Sequence, residues 1–412
     1  MDLAPQLVIY TEIITPRIAY IFEFIFCDFS GIEYKIITDF SQFQQLDSPK
    51  INFSNHFLDQ VINYQVDDIL LQNDIHSSIK YTDLHPIGKC FYWLSRYEEY
   101  IANPEQFDQH QRYLGSNLDY SKPIVDIICL DIQSQIKAKY PEIQFKKRTF
   151  KQINTHDVDF AWKYLHHSSW KTIGSLAKKL IQFNLKDFVE QIQVITKQKQ
   201  DPYQTYEYLK NLAKAHQIES IFFWLLGDTS TYDRNLSWKN KAQAKLINEI
   251  NSWAVIGIHP SYLSNTKEEQ LGIEIERLSK ILAQPITCSR QHFIKLNFPH
   301  TYQQLLKNGI TEDYTMGFAH NIGFRAGTCT PFKWFDLSSN QQTMLISYPF
   351  VAMDVTLKNY LFLTPQDAIL SLKKLKQTIK EVNGTFITLI HPSNFCGEWK
   401  EWRIFYESLF DD

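Results

Sequence analysis

Four polar segments of the chain could together bind a divalent metal ion and move a proton. Asp157 and Asp159 stand in THDVD, His259 in IGIHPSY and His391 in LIHPSNF, and an apolar run precedes each of them. Alternate side chains of an extended segment share a face, so Asp157 and Asp159 point the same way. One carboxylate can then bind a metal ion while the other takes a proton, because a cation allows two close negative charges to coexist.

Arg290, in the segment SRQH, is the candidate for holding the base carboxylate in its ionised form. Each of these features alone also has an ordinary structural explanation. An Asp-x-Asp motif often caps a helix or lies in a surface turn, and a histidine after a strand is often only hydrogen bonded. The recurrence of such residues after successive predicted strands favours a shared site.

The predicted secondary structure brings these segments to one edge of a sheet. From residue 152 onward, apolar runs such as INTHDVD, SIFFWLLG, AVIGIHPSY and GTFITLIHPSNF alternate with helical patterns. This alternation predicts a largely parallel sheet. A long helical stretch is predicted from about Trp162 to His216, with a break at DPY (201–203). Closed α/β barrels and open α/β sheets both carry their active sites beyond the carboxyl ends of the strands.

Residues 1–148 are predicted to form a first unit of mixed α/β structure, and residues 149–412 a second. In the first unit, the short apolar runs LVIYTEI, YKIITDF and DDILLQN are predicted strands that alternate with helical patterns. The basic, proline-containing segment AKYPEIQFKKRTFKQ marks the predicted boundary. The first unit shows no catalytic constellation. Asp108, His110 and Arg112 could line a site, although a solvated or hydrogen-bonded loop is the favoured interpretation.

The amino terminus is predicted to form a strand and a helix, and neither an export signal nor a membrane span. A helix is predicted from about Pro16 to Phe26, with Thr15 as its N-cap and proline at its first position. Charged residues, Glu12 and Arg17 among them, interrupt the apolar run. Because no window offers about 18 uncharged apolar residues, we expect no transmembrane segment and a cytoplasmic protein.

The composition excludes several classes of protein. The 412 residues include 42 basic and 45 acidic side chains, and the net charge of −3 provides no electrostatic footprint for a nucleic-acid backbone. With 44% hydrophobic and 21% charged residues, the chain can bury a large core, which argues against global disorder. The six cysteines are scattered without a C-x-x-C pair, which argues against a zinc knuckle or a dense disulfide framework.

At the polar segments the chain resembles the polysaccharide deacetylases, whose catalytic domain is a NodB-like distorted β/α barrel. THDVD is similar to that family's Asp-containing first motif, HPSY to its His-containing second motif, SRQH to its Arg-containing third motif and LIH (389–391) to its late His motif. This resemblance covers about residues 150 to 400. A second resemblance, over most of the chain, is to a Bacteroidetes-type subgroup with an uncharacterised N-terminal domain. It rests on RYEEY, THDVD, DPY, HPSY, SRQH, DYTMGF, GFRAGTC and MDVTL.

The resemblance implies an α/β fold class, with a C-terminal NodB-like β/α barrel preceded by a smaller mixed α/β domain. It also implies hydrolysis of an N-acetyl or O-acetyl group of a carbohydrate by a metal-dependent enzyme, with zinc the favoured divalent metal. Asp157 would be the general base, Arg290 would orient it, and His391 would protonate the leaving amine. Asp159 and His259 would be metal ligands, but because the first motif is shifted relative to the family's, Asp157 and Asp159 could exchange roles.

One motif departs from the family's pattern, because the residue four after His259 is Leu263 where the family has a second metal-binding histidine. His292, in SRQH, is the first choice for the missing ligand, ahead of Ser261, His156 and Asp354. The departure keeps open an alternative function, a catalytically inactive deacetylase-like protein that binds a glycan or a partner protein. A hydrolase or glycosyl-transferring enzyme that uses the carboxylates without metal ranks last.

Arg325, Tyr262 and Asp354 are the predicted substrate-binding residues. Arg325 lies between two glycines in GFRAGTC, where its planar fork suits bidentate contact with a phosphate or carboxylate. An arginine that ties loops together through backbone carbonyls is the alternative. The expected partner is an acetylated carbohydrate, as a cytoplasmic sugar intermediate or a lipid-linked glycan, and no nucleic acid.

Overall fold

The computed structural model describes residues 7–411, and within that range the strands form two sheets. The first sheet is parallel throughout, in the order β2-β1-β3-β4. Its strands are β1 (Leu7–Tyr10), β2 (Tyr34–Ile37), β3 (Lys50–Phe53) and β4 (Ile62–Tyr64).

The second sheet follows in the chain and carries the candidate site. Its order is β10-β11-β9-β8-β7-β6-β5-β13-β12, and every neighbouring pair is parallel except β10 with β11. The strands are β5 (Lys151–Val158), β6 (Glu219–Trp224), β7 (Val255–Ile258), β8 (Cys288–Ser289), β9 (Glu312–Asp313), β10 (Phe332–Asp336), β11 (Gln341–Ser347), β12 (Ala352–Met353) and β13 (Thr385–Ile390).

Helices alternate with these strands along most of the chain. The α-helices are α1 (Pro16–Phe22), α2 (Phe40–Gln45), α3 (Asp68–Leu71), α4 (Pro86–Leu94), α5 (Tyr97–Tyr100), α6 (Ile124–Lys139), α7 (Ser169–Ile181), α8 (Leu185–Ile195), α9 (Tyr206–His216), α10 (Lys241–Asn251), α11 (Glu268–Leu282), α12 (His300–Lys307), α13 (Pro365–Glu381) and α14 (Trp402–Ser408). The chain also forms two π-helical segments, Glu23–Phe29 and Thr356–Tyr360. Single 3₁₀ turns lie at Tyr81–Asp83, Pro104–Gln106, Tyr262–Asn265, His292–Ile294, Pro392–Phe395 and Gly397–Trp399. Among residues 7–411, no helix is both long and apolar enough to cross a lipid bilayer.

The predicted mixed α/β class with a largely parallel sheet is confirmed. The order of the second sheet is linear in the described residues, and its closure into a barrel stays a prediction. One predicted strand is wrong, because DDILLQN contains α3, whose Ile69 and Leu70 are buried in the core. Short apolar runs do not distinguish a strand from a buried helical turn. The stretch predicted as one long helix is interrupted at Gln182–Asn184 as well as at DPY.

The predicted N-cap of the first helix is confirmed. The Thr15 hydroxyl accepts a hydrogen bond from the backbone N–H of Ile18 at 3.1 Å, and Pro16 occupies the first helical position. The α-helix ends at Phe22, earlier than predicted, and the chain continues as a π-helix to Phe29.

The segments before and after residue 150 pack on each other through one continuous hydrophobic core, which includes side chains from Leu7 to Phe410. Backbone hydrogen bonds also join them, from Phe324 N–H to the Tyr120 carbonyl at 2.8 Å. At that contact Gly323 has a φ of 122°, and a Cβ there would lie 2.3 Å from the same carbonyl oxygen, so only glycine allows the approach. The boundary at residue 148 stays a prediction.

Candidate metal centre

Polar side chains from four parallel strands meet at one edge of the second sheet. Asp159 follows β5, His259 follows β7 and His391 follows β13 directly, while His292 lies in the 3₁₀ turn after β8. Since these strands run in the same direction, their carboxyl ends lie at the same edge. Residues spread over more than 230 positions are thereby brought together.

Three side chains offer ligand atoms that could hold one metal ion. These atoms of Asp159, His259 and His292 all lie within 4.8 Å of one another. Oδ1 of Asp159 is 3.3 Å from Nε2 of His259 and 3.7 Å from Nε2 of His292. The position at which the family's pattern has a second histidine is Leu263 here, and His292 from a different strand supplies a third donor instead.

The hydrogen bonds of the two imidazoles determine which ring nitrogen faces the centre with a lone pair. Nδ1 of His259 lies 2.6 Å from the carbonyl oxygen of Arg290, and Nδ1 of His292 lies 2.9 Å from Oδ1 of Asp233. Both oxygens only accept, so each Nδ1 carries a proton and, in the neutral ring, each Nε2 presents a lone pair. Metal-binding histidines are typically oriented by such bonds.

Oδ1 of Asp159 is buried and accepts no hydrogen bond from any residue in 7–411. Burial alone would raise the pKa of Asp159, but its histidine neighbours, His292 foremost, hold that pKa well below its usual value. In the metal-free protein this shift comes from positive charge on its histidine neighbours. When the imidazoles of His259 and His292 are neutral, the buried oxygen faces two further acceptors, and a metal ion would supply the positive charge between them. The donor set of one carboxylate and two imidazoles therefore fits a divalent metal ion, and three protein ligands leave a fourth position open.

Asp157 and Arg290 form a buried ion pair beside this centre. Nη1 of Arg290 donates to Oδ1 of Asp157 at 3.1 Å and to the Thr155 hydroxyl at 2.6 Å, and its Nε donates to the Tyr314 carbonyl at 2.8 Å. Burial lowers the pKa of Arg290, against the opposing charge of Asp157. The other carboxylate oxygen of Asp157 lies 3.7 Å from Nε2 of His259, so it remains directed toward the centre.

His391 lies near the same centre and is held by Asp354. Nδ1 of His391 is 2.8 Å from Oδ1 of Asp354, whose Oδ2 accepts from the backbone N–H of His391 at 2.9 Å and from Asn394 at 3.0 Å. Burial lowers the pKa of His391, but the charge and hydrogen bond of Asp354 outweigh it and raise that pKa to about 10. Nε2 of His391 is 3.9 Å from Oδ2 of Asp159. Asp354, predicted to bind substrate, thus positions His391 in this structure.

These side chains line a cavity of about 200 Å³. Its lining consists of polar residues of the centre and of apolar and aromatic neighbours: Arg112, Asp157, Asp159, His259, His292, Phe293, Ile294, Met353, Val355, Tyr360 and His391. Ligand pockets usually measure about 300–1,000 Å³. A cavity of this size fits a small reacting group and excludes most of a larger substrate.

A loop from the first 148 residues reaches this cavity and contributes Arg112 to its lining. Nε of Arg112 donates to Oδ2 of Asp108 at 2.7 Å, and an Nη donates to the Tyr360 hydroxyl at 3.1 Å. Asp108 in turn lines a larger, neighbouring cavity of about 540 Å³. The Asp108–Arg112 pair therefore lies between a small cavity at the candidate centre and a larger open one.

A cluster of aromatic side chains packs on Phe293, which lines the cavity at the centre. Tyr232 and Tyr262 lie with ring centroids 4.2 Å apart, and Phe293 contacts both rings edge-on. The hydroxyl of Tyr262, a predicted substrate-binding residue, is 3.2 Å from Nδ1 of His110. Phe293 and Ile294 have left-handed φ values of 63° and 56° directly after His292, and backbone of this kind is typical of functional sites.

Arg325, the third predicted substrate-binding residue, is not brought to the centre. Its Nε and Nη2 donate to the two carboxylate oxygens of Glu99 at 2.9 and 2.7 Å, and its Nη1 donates to the Gly317 carbonyl at 3.0 Å. The side chain is 1% exposed. Each of its nitrogens is thus engaged by the protein. Arg325 therefore ties parts of the chain together, as in the alternative interpretation of this residue as a link between loops.

The other residues considered as ligands also lie in separate contacts. The Ser261 hydroxyl donates to Glu274 at 2.6 Å. His156 stacks on Phe222 with ring centroids 4.5 Å apart, and burial lowers its pKa to about 3. The alternation of side chains along β5 explains this difference, because His156 and Asp157 point to opposite faces.

Sequence reasoning missed Asp233, which orients His292 and also accepts from the backbone N–H of Tyr262 at 2.9 Å. The sequence does contain a pattern that indicates this residue, because the polar run DTSTYDRN directly follows the apolar run of β6. Arg112 was considered but placed in a solvated loop. Only the packing of the first 148 residues against the second sheet reveals its contact with the cavity.

Comparison with family models gives a match over the first third of the chain. Residues 7–141 match a family of unknown function, DUF7033. No curated protein matches the chain.

Among solved structures, the chain is similar to a candidate polysaccharide deacetylase from Mycobacterium smegmatis, with 16% identity over 65% of this chain and 85% of that one and a TM-score of 0.41. It is similar to a polysaccharide deacetylase from Bacillus cereus at 10% identity over 64% and 87%, with a TM-score of 0.27. A mutant CE4-family pseudoenzyme with restored enzymatic activity matches at 12% identity over 64% of each chain, with a TM-score of 0.28.

Proposed function

We propose that this protein is a metal-dependent hydrolase that removes an acetyl group from an acetylated sugar or glycan. The observation that carries the proposal is the buried Oδ1 of Asp159, which has no hydrogen-bond donor and faces the Nε2 atoms of His259 and His292. A divalent ion, with zinc favoured, would satisfy these three acceptors together.

Such an ion would polarise the acyl carbonyl and lower the pKa of water in the cavity toward ~7. Asp157 is the proposed general base that takes the proton of the attacking water. Arg290 binds one of its oxygens at 3.1 Å and leaves the other free on the side of the centre. The Arg290 hydrogen bond thus orients Asp157 toward the centre.

His391 is the proposed general acid. Its protonated form is stabilised by Asp354, and Nε2 then donates the proton to the leaving nitrogen or oxygen as the acyl bond breaks. Asp157 lies within 4 Å of His259, and His391 lies within 4 Å of Asp159. Both of these neighbours are proposed metal ligands. Base and acid can thus reach the same small group.

The dimensions of the two cavities support an acetyl substituent on a larger molecule. The small cavity at the centre accepts the acetyl group, while the aromatic rings of Tyr232, Tyr262 and Phe293 and the larger cavity beside Asp108 accommodate sugar residues. Mostly apolar walls with a few oriented polar groups are typical of ligand sites. The carbohydrate assignment itself comes from the resemblance of the four motifs.

The test is acetate release from N-acetylated and O-acetylated aminosugar oligomers by the zinc-loaded protein. We expect Asp157→Asn to reduce the rate by about 10²–10⁴-fold while zinc content is retained, because Asp157 moves a proton and does not bind the ion. Asp47→Asn, a change at an exposed carboxylate, is the matched control and should leave the rate unchanged.

Equal rates for wild type and Asp157→Asn would contradict the proposed mechanism. Zinc binding without acetate release from any oligomer would instead favour the inactive glycan-binding alternative. Calorimetric titration with the same oligomers then measures that binding directly.

A further inference from the structure

A helical hairpin of unusual polarity follows β5. It consists of α7 and α8 and the turn between them, and α7, all of which is described, has no fully buried residue. Its apolar side chains repeat at helical spacing along the exposed side: Trp170, Ile173, Ala177, Leu180 and Ile181. Trp170 is 85% exposed and Ile181 is 78% exposed. An amphipathic helix normally turns this face toward the core.

The polar side of α7 faces the protein instead. The Ser175 hydroxyl donates to the side-chain oxygen of Gln191 in α8 at 3.1 Å, and the Lys179 ammonium donates to the same oxygen. Lys179 also lies over the ring of Tyr164 at 4.2 Å from its centroid. Polar contacts therefore join the inner side of α7 to α8, and Lys179 contacts Tyr164 outside the hairpin, so the apolar side of α7 is directed outward.

The second helix and the turn extend this apolar surface. Leu185, Val189 and Ile192 share one face of α8 and are all exposed. Phe183, in the turn between the helices, is 87% exposed. The apolar face thus runs over both helices, with aromatic rings at Trp170 and Phe183.

The hairpin is also the basic part of an acidic protein. Residues 169–195 contain four lysines and two acidic residues, a formal charge of +2, and Lys197 and Lys199 follow α8, whereas the whole chain carries −3. Lys171, Lys178 and Lys186 are exposed, and within residues 7–411 they form no ion pair. Lys199 is paired with Glu190. Unpaired cations therefore flank the apolar face.

We propose that the α7–α8 hairpin docks this protein on the surface of a bilayer that contains anionic lipids. An exposed apolar helical face with aromatic residues, flanked by lysines, lies in the plane of the membrane interface. The lysines match the negative surface potential of anionic lipids, which a neutral protein partner or the same basic face of a second copy would not supply. The apolar face is an outward ridge of two helices, so its side chains can insert directly into a bilayer and need no groove on a partner.

The docking would hold the candidate metal centre within about 35 Å of lipid, the greatest span of the ten residue steps between Asp159 and Ser169. The hairpin begins at Ser169, ten residues after Asp159, and the loop between them is anchored by hydrogen bonds from the backbone N–H groups of Lys163 and Tyr164 to Asp201. A lipid-linked glycan is therefore the favoured substrate class. That consequence rests on the proposed function, whereas the docking does not.

The test is sedimentation of the full chain with vesicles of phosphatidylcholine alone and with about one-third phosphatidylglycerol. We expect binding to the anionic vesicles that weakens as ionic strength rises. Trp170→Glu/Phe183→Glu should reduce the partition coefficient by about tenfold or more, because it places two charges on the apolar face. Lys178→Glu/Lys186→Glu should reduce binding to the anionic vesicles and leave binding to the phosphatidylcholine vesicles unchanged.

The matched control is Phe57→Glu/Met344→Glu, which alters two side chains outside the hairpin that are 76% and 74% exposed. It should bind vesicles like the wild type. Absence of wild-type binding at low ionic strength, or equal binding by Trp170→Glu/Phe183→Glu, would overturn the proposal. So would a wild-type dimer in vesicle-free solution that the same variant converts to monomer, because a second copy then covers the face. The vesicle assay does not measure acetate release. Loss of vesicle binding would therefore overturn the docking proposal without contradicting the proposed function.

Discussion

Two buried clusters of charged residues in this protein differ in whether the buried oxygens of their central carboxylate accept hydrogen bonds. In the first, Glu99 accepts from Arg325 through both oxygens and from Nε of Arg96 at 2.9 Å. In the second, Oδ1 of Asp159 has no donor and faces two imidazole nitrogens. The side chain of Glu99 and Oδ1 of Asp159 are both buried, so burial and charge alone do not identify a functional site.

The difference shows how each cluster is stabilised. Arg96 and Arg325 face Glu98 and Glu99, so two positive and two negative charges balance within the first cluster. The cluster around Asp159 contains three aspartates, Asp157, Asp159 and Asp354, but Arg290 is the single arginine bonded to any of them in the described residues. Asp354 favours the protonated form of His391, so with His259 and His292 neutral the unbalanced charge is that of Asp159, which a bound cation would offset.

The largest effect is expected for Asp159→Asn. Loss of the carboxylate ligand should reduce acetate release by about 10³-fold or more, because a weakly bound ion no longer activates the carbonyl and the water. The free energy of unfolding of the metal-free variant should stay within about 1 kcal/mol of the wild type, because Oδ1 accepts no hydrogen bond to lose. Rate assays and urea denaturation of metal-free protein measure the two quantities. A large loss of stability would make Asp159 a structural residue like Glu99.

Arg325→Met should have the opposite signature. It leaves a buried carboxylate without its bidentate partner and should lower the free energy of unfolding by about 3–5 kcal/mol. Urea denaturation measures this loss, and the folded fraction should bind zinc with wild-type affinity. A stable variant with a raised KM for acetylated oligomers would instead restore the predicted substrate role of Arg325.

Asp354→Asn tests the proposed acid. Without the charge of Asp354, His391 loses the interaction that favours its protonated form, so kcat should fall by about 10²-fold. Zinc affinity should change little, since neither residue belongs to the proposed ligand set. Calorimetry and acetate release separate the two effects. A loss of zinc comparable to that of Asp159→Asn would show that His391 is a ligand.

Asp233→Asn should have the smallest effect. Asp233 holds Nδ1 of His292 at 2.9 Å without facing the centre, and loss of such an orienting carboxylate typically lowers metal affinity by about 10–100-fold. Activity at saturating zinc should recover most of the wild-type rate. An Asp367→Asn variant, altered at an exposed carboxylate near the start of α13, is the control for surface charge.

The positions of the predicted site residues followed from local patterns, and their partners did not. Asp157, Asp159, His259 and His391 stand at the ends of apolar runs, and parallel strands bring such positions to one edge. This reasoning also made His292 the first choice for the third ligand, because it lies two residues beyond Arg290. Metal binding by this set stays a prediction.

Contacts between residues that are far apart in the chain could not be predicted from the sequence. Arg325 and Glu99 are 226 positions apart, and nothing local indicates that the arginine is already paired. Asp233 resembles any polar loop residue until His292 is placed beside it. The same holds for Arg112, whose contact with the cavity depends on how the first 148 residues pack on the sheet. The outward face of α7 gave a helical pattern, but its periodicity alone predicts an inward apolar side.

The most direct test of the central claim is a zinc titration of the metal-free protein by calorimetry. The account predicts one ion per chain for the wild type, and weak or absent binding for Asp159→Asn and for His259→Ala/His292→Ala. Anomalous diffraction from zinc-soaked crystals should place that ion between the three side chains. A wild-type protein that binds no zinc, or binds it equally after these substitutions, would contradict the account.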